Sequence, residues 1–164
     1  MTSPQQPTVF LLAYDNSENS QAALSWFARL NAERDIRHQL VIFYSVEAPP
    51  LPRGNTTLKM SKTELYTQLM QESSAQIDRV RKRCLALCQQ LGLPADSVKF
   101  IDKYGAEPSK AIVAMATELD AAAILMGTRG LKRLQRTMLG SVSDYAVHHA
   151  HRPVIVVPLT DTNG

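Results

Sequence analysis

Five short apolar runs, each divided from the next by a stretch with helical spacing or helix punctuation, constrain the fold of this chain more than any other feature. The runs are Val9-Phe10-Leu11-Leu12-Ala13-Tyr14, Leu40–Val46, Val98–Ile101, Ala121–Met126 and Val154–Val157. Most are continuous rather than alternating, the mark of strands covered on both faces. Ser17 supplies a cap for a helix from about Glu18 to Leu30, with Ala23, Phe27 and Leu30 turned inward. A long amphipathic helix is predicted from about Ser61 to Leu91. Its stripe is Leu65, Leu69, Ile77, Val80, Cys84, Leu87 and Leu91, and Gly92 with Pro94 ends it. Pro108 suits the first turn of a helix running to Leu119, and Val142 to His149 forms another, opened by Ser141. Prolines and a glycine make Glu47 to Thr57 a loop. Parallel neighbours need crossover connections, so this alternation predicts an α/β chain with a doubly wound parallel sheet.

The densest local signal follows the fourth run. Gly127-Thr128-Arg129-Gly130, then nine residues, then Gly140-Ser141-Val142-Ser143 reads G-x2-G-x9-G-S. The order is strand, glycine loop, helix start. A helix start presents unpaired N–H groups and a partial positive charge, which suits phosphate. Glycines let the backbone approach an anion closely. The loop carries Arg129, Lys132, Arg133 and Arg136 and no acidic residue. Of these, Arg129 lies inside the motif and is the best placed to reach phosphate. Ligands of such sheets bind outside the carboxyl ends of the strands. Both this loop and Asp15, which follows the first strand, fall at that edge. If strands one and four are neighbours, the two face each other across a crevice.

Composition narrows the partners. A formal charge of +3 over 164 residues is too mild for a nucleic-acid surface. The two cysteines make no disulfide framework, and there is no signal peptide or apolar run of membrane length, so a cytoplasmic setting is expected. One domain is expected over 8–159, with tails at 1–7 and 160–164.

With these residues in place, the chain resembles the universal stress protein family, in its nucleotide-binding branch. The resemblance covers Thr8 to Pro158. It rests on Gly127-x2-Gly130-x9-Gly140-Ser141, on a first strand ending in Asp15, and on His148-His149-Ala150-His151-Arg152-Pro153-Val154. It implies a single-domain open parallel five-stranded sheet of order 3-2-1-4-5, with helices on both faces and ATP as ligand, Mg2+ accompanying the nucleotide. Phosphate contacts are implied at Gly130, Gly140, Ser141, Val142 and Ser143. Ribose contacts are implied near Gly127, with Met126 beside it, and adenine contacts at Ala13, Asp15 and the backbone of Val46. Tyr14 is a departure, bulkier than the small or β-branched residue often found before that aspartate. The order places strand 154–157 on an edge, where an apolar run invites pairing, and the family commonly forms homodimers in this way.

Plainer alternatives stand beside several of these features. The glycine loop could be turn chemistry alone, Asp15 a helix-start residue, and Lys132, Arg133 and Arg136 a solvated face. His148 and His149 diverge by about 100° on a helix and cannot easily share a metal ion. Cys84 and Cys88, one turn apart on an apolar stripe, read as buried small hydrophobes. Two functional classes remain: an ATP-binding regulatory module with an unidentified protein partner, or an enzyme such as a slow ATPase. A nucleotide-independent interaction dimer is a third. No G-x4-G-K-[ST] run occurs. The segment Asp15-Asn16-Ser17-Glu18-Asn19 lacks the glycines that an ATP-pyrophosphatase loop or a flavodoxin loop would place there. With no evident general base in the glycine loop, no catalytic residue is assigned and little turnover is expected.

Overall fold

A computed structural model describes residues 7–32, 38–52, 61–105, 107–128 and 139–159. Five strands, β1 (Val9–Ala13), β2 (Gln39–Val46), β3 (Val98–Tyr104), β4 (Ala123–Gly127) and β5 (Val154–Val157), form one sheet of order β3-β2-β1-β4-β5. Every pairing is parallel. Four helices, α1 (Glu18–Ala32), α2 (Lys62–Gln90), α3 (Pro108–Glu118) and α4 (Ser141–His149), flank it.

Successive strand residues point to opposite faces, so each continuous apolar run feeds two cores at once. Leu12, Leu40, Ile42 and Leu125 pack on one face with Ala23, Leu24 and Phe27 of α1 and Val80, Cys84 and Cys88 of α2. Leu11, Val41, Phe43, Ile124 and Met126 pack on the other with Ile112, Met115 and Ala116 of α3 and Ala146 of α4. Leu11, Leu12, Ile124 and Leu125 are wholly buried, each worth roughly 1.5–3 kcal/mol.

Local chemistry fixes the ends of α2. Ser61 and Glu64 form a reciprocal capping box: Ser61 N–H donates to Glu64 Oε2 at 2.7 Å and Glu64 N–H to Ser61 Oγ at 3.2 Å. Gly92 ends the helix at φ +76, with its N–H donating to Gln89 and that of Leu93 to Cys88. Two strands differ from expectation. β3 runs on to Tyr104, because it pairs with β2 as far as Val46↔Tyr104, and its charged residues find partners on the flanking helices, Asp102 with Arg81 of α2 and Lys103 with Glu118 of α3. β4 starts at Ala123, because Ala121 N–H still bonds back to Ala116 of α3 and Asp120 turns at φ 46.

Candidate nucleotide site

β1 and β4 are neighbours, in register Phe10↔Ala123 to Leu12↔Leu125, so the loops after them share one edge of the sheet. A cavity of about 200 Å³ opens there, lined from β1 by Ala13 and Asp15, from β4 by Met126 and Gly127, and from α4 by Gly140, Val142 and Ser143. Phe43, Ser45 and Glu47 close it on the β2 side, and Pro108 and Ile112 of α3 below.

The wall at α4 is the start of a helix, whose free N–H groups suit an anion. Gly140 is the helix N-cap and offers no side-chain hydrogen bond. The first N–H groups of a helix, here from Ser141, Val142 and Ser143, have no intrahelical acceptor. Ser143 Oγ–H donates back to the Gly140 carbonyl at 2.9 Å, which fixes the entry turn. Gly140 sits at φ −67, ψ 156, a conformation any residue adopts. Its lack of a side chain therefore matters for approach, not for backbone freedom.

Gly127 is glycine for a different reason. A Cβ there would lie within 3.0 Å of the carbonyl carbon, carbonyl oxygen and Cβ of Asn19, so β4 and the first turn of α1 meet backbone to backbone. Asp15 works at that same turn. Its Oδ1 accepts the Ser17 N–H at 3.0 Å and the Ser17 hydroxyl, and Ser17 Oγ accepts the Ser20 N–H at 3.2 Å. Asp15 is thus a helix-start residue that also lines the cavity. A carboxylate has about four acceptor positions, so the two roles are compatible.

Val46 and Ser141 lie outside the cavity lining. Ser141 is exposed and meets the cavity edge only as the first residue of α4. The Val46 carbonyl accepts the Gly105 N–H at 2.9 Å, toward β3, whereas the Phe43 carbonyl accepts the Tyr14 N–H at 2.9 Å, toward β1. Backbone polar groups alternate along a strand. The β2 backbone facing the crevice beyond the end of β1 is therefore that of Ser45. Arg129 and Gly130, with Lys132, Arg133 and Arg136, lie outside the described residues.

Among the lining residues that sequence reasoning overlooked, Asn19 and Ser45 carry buried polar atoms. Asn19 Oδ1 and Ser45 Oγ are buried and, among the described residues, have no hydrogen-bond partner. A buried polar atom without a partner costs about 1–3 kcal/mol, so two of them beside one cavity fit a ligand that supplies the missing partners. Ser45 left a signal, as a hydroxyl near the carboxyl end of an otherwise apolar run; Asn19 left none, because its position depends on Gly127.

Tyr14 lines the cavity, but its ring does not fill it. Its ring is buried in the opposite core with Leu12 and Cys84, and burial, then Cys84, pushes its phenol above the ordinary value. His148 Nδ1 and His149 Nδ1 turn back to the carbonyls of Asp144 and Tyr145 at 2.8 and 2.9 Å, and His149 stacks on Tyr145. Both cysteines are free and buried. Among the described residues no group of three or more His, Cys, Asp or Glu could hold a metal ion, and no helix is long and apolar enough to cross a membrane.

The open parallel sheet places a helix start without an N-cap side chain beside the carboxyl ends of its central strands, the edge at which ligands of such sheets bind. Residues 8–158 match the model of the universal stress protein family, and the chain belongs to that family. It is 28% identical over 149 residues to universal stress protein Sll1388 of Synechocystis sp., covering 90% of this chain and 95% of that protein. Its fold is similar to that of a universal stress protein from Archaeoglobus fulgidus in complex with dAMP, at TM-score 0.60, 21% identity and coverage of 93% and 98% of the two chains. It is similar too to a universal stress protein in complex with cAMP, at TM-score 0.55, 21% identity and coverage of 92% and 95%.

Proposed function

We propose that this protein is a regulatory module that binds ATP at the carboxyl edge of β1 and β4, with Mg2+ carried by the nucleotide, and turns it over slowly or not at all. The observation that carries this is the meeting, in one cavity, of an uncapped α4 N-terminus with two buried, unpartnered polar atoms. The first suits phosphate and the second a polar organic group. Gly140, Ser141, Val142 and Ser143, with Gly130 and Arg129, hold the phosphates. Met126 and Gly127 flank the ribose, and Ala13, Asp15 and the crevice-facing backbone of Ser45 meet adenine.

The relatives' ligands support the base in particular. dAMP and cAMP differ in sugar and phosphate and share adenine. A bound triphosphate would bring Mg2+ as a bridge between phosphate oxygens. Slow turnover follows from the carboxylates at hand. Asp15 is engaged with Ser17, and Glu47 follows β2, across β1 from the α4 N-terminus. Neither is placed to activate water at a terminal phosphate.

Pairing of two chains through β5 completes the proposal. β5 is an edge strand whose Val154, Ile155 and Val156 remain partly exposed, with Val147 and Leu159 exposed nearby in sequence. Light scattering should give a dimer that Val156→Lys splits; a monomeric wild type would end the idea. The test of the ligand is mass spectrometry of small molecules released by denaturing the purified protein. Intact ATP is expected, whereas ADP with phosphate would favour an enzyme, and absence of any nucleotide after ATP addition and desalting would count against the site.

A further inference from the structure

Among the described residues, Asn19 is the one whose backbone touches Gly127 and which lines the cavity with an unmatched acceptor. Its carbonyl carbon and oxygen lie against the Cα of Gly127, which holds the first turn of α1 at the end of β4. Its Oδ1 is buried, without a donor among the described residues, and the residue lines the cavity. An amide oxygen only accepts, so the group it lacks is a donor. Along a nucleotide seated with phosphate at α4 and base at β2, the part that passes the end of β4 near Gly127 is the sugar. Its only donors are hydroxyls. From this juxtaposition we infer that Asn19 reads a ribose hydroxyl and sets the preference of this protein for ribonucleotides over deoxynucleotides, a conclusion that rests on the proposed adenine-nucleotide site.

Ser45 is not a substitute for this role. Its hydroxyl both donates and accepts, and it stands on β2, on the other side of β1 from Gly127. Asp15 is assigned to the base in the proposed site, and its Oδ1 already accepts two hydrogen bonds from Ser17. Asn19 is therefore the acceptor best matched to a sugar hydroxyl.

Calorimetric titration of wild type, Asn19→Ala and Asn19→Asp with ATP, 2′-deoxy-ATP and 3′-deoxy-ATP tests this. Wild type should bind at least one deoxy analogue about five- to tenfold more weakly than ATP, the value of one hydrogen bond. Asn19→Ala should bind ATP more weakly and lose that discrimination. Asn19→Asp keeps an acceptor, so it should weaken all three ligands through charge repulsion and preserve the ratio; it also carries the test should the alanine variant fail to fold. Equal binding of all three by wild type would overturn the inference while leaving the ATP site intact. Discrimination that survives in Asn19→Ala, or vanishes in Asn19→Asp, would overturn it too. Failure of wild type to bind any of the three would remove the adenine-nucleotide site itself, and this inference with it.

Discussion

The two ends of the sheet are built from similar residues and do opposite things with their polar groups. At the amino end the backbone is stitched together. Thr8 O accepts Gln39 N–H at 2.9 Å, Val9 O accepts Ala122 N–H at 2.8 Å, and Pro153 O accepts Ile124 N–H at 2.9 Å. The Arg152 guanidinium adds a hydrogen bond from Nη1 to the Ala121 carbonyl, although its buried Nε has no partner among the described residues. At the carboxyl end β1 stops at Ala13, opposite Phe43, while β2 runs on to Val46. Beside that step lie a cavity, a helix start without an N-cap side chain, and the atoms of Asn19 and Ser45 that have no partner among the described residues. One end contributes stability; the other carries the proposed binding site. The same sheet supports both, because the crossover helices bring every strand to one edge pointing the same way.

Substitutions at the two ends should therefore separate binding from stability. The largest effect is expected at Gly140→Val. Valine adopts φ −67, ψ 156 without strain, but its side chain stands where phosphate must approach the α4 N–H groups. ATP affinity should fall by about a hundredfold or more, roughly 2.8 kcal/mol, while the melting temperature stays put. Undiminished binding would make the motif structural. Gly130→Val should behave alike. Gly127→Ala should instead fail on stability first. Its Cβ would press on the Asn19 backbone, and overpacking of that kind costs about 1–3 kcal/mol in denaturant unfolding. A variant as stable as wild type would mean that α1 and β4 separate more easily than their packing suggests.

Smallest of these is the effect of Arg152→Ala at the amino end. The Ala121 carbonyl would lose its guanidinium donor and the turn before β4 would loosen, for a loss of about 1 kcal/mol. ATP affinity should not change. A fall in affinity matching that seen with Gly140→Val would break the division between the two ends.

The division also explains what could be read from the chain directly. Continuous runs such as Val9–Tyr14 and Leu40–Val46 revealed strands covered on both faces, because burying both sides of the pleat leaves no polar positions. The glycine motif located the α4 N-terminus, because local chain geometry makes an anion seat. Strand order came from family resemblance, since hydrophobic periodicity carries no information on which strands pair. What stayed hidden depends on register between distant segments. Whether Ser45 or Val46 turns its backbone to the crevice is decided by a pairing in which Phe43 bonds Tyr14 and Val46 bonds Gly105. That Asn19 stands against Gly127 is decided by how α1 packs on β4. A single step along a strand reverses the first, and no local pattern encodes the second.

The central claim is that the carboxyl-end cavity holds an adenine nucleotide, and calorimetric titration of wild type with ATP and GTP in Mg2+ tests it most directly. Phosphate held at α4 should serve both ligands alike, whereas the strand backbone near Ser45 offers N–H and C=O groups suited to adenine and mismatched to guanine. Saturable binding of ATP with clearly weaker binding of GTP is expected. Equal affinities would contradict the adenine assignment, and no heat with either nucleotide would contradict the site as a whole.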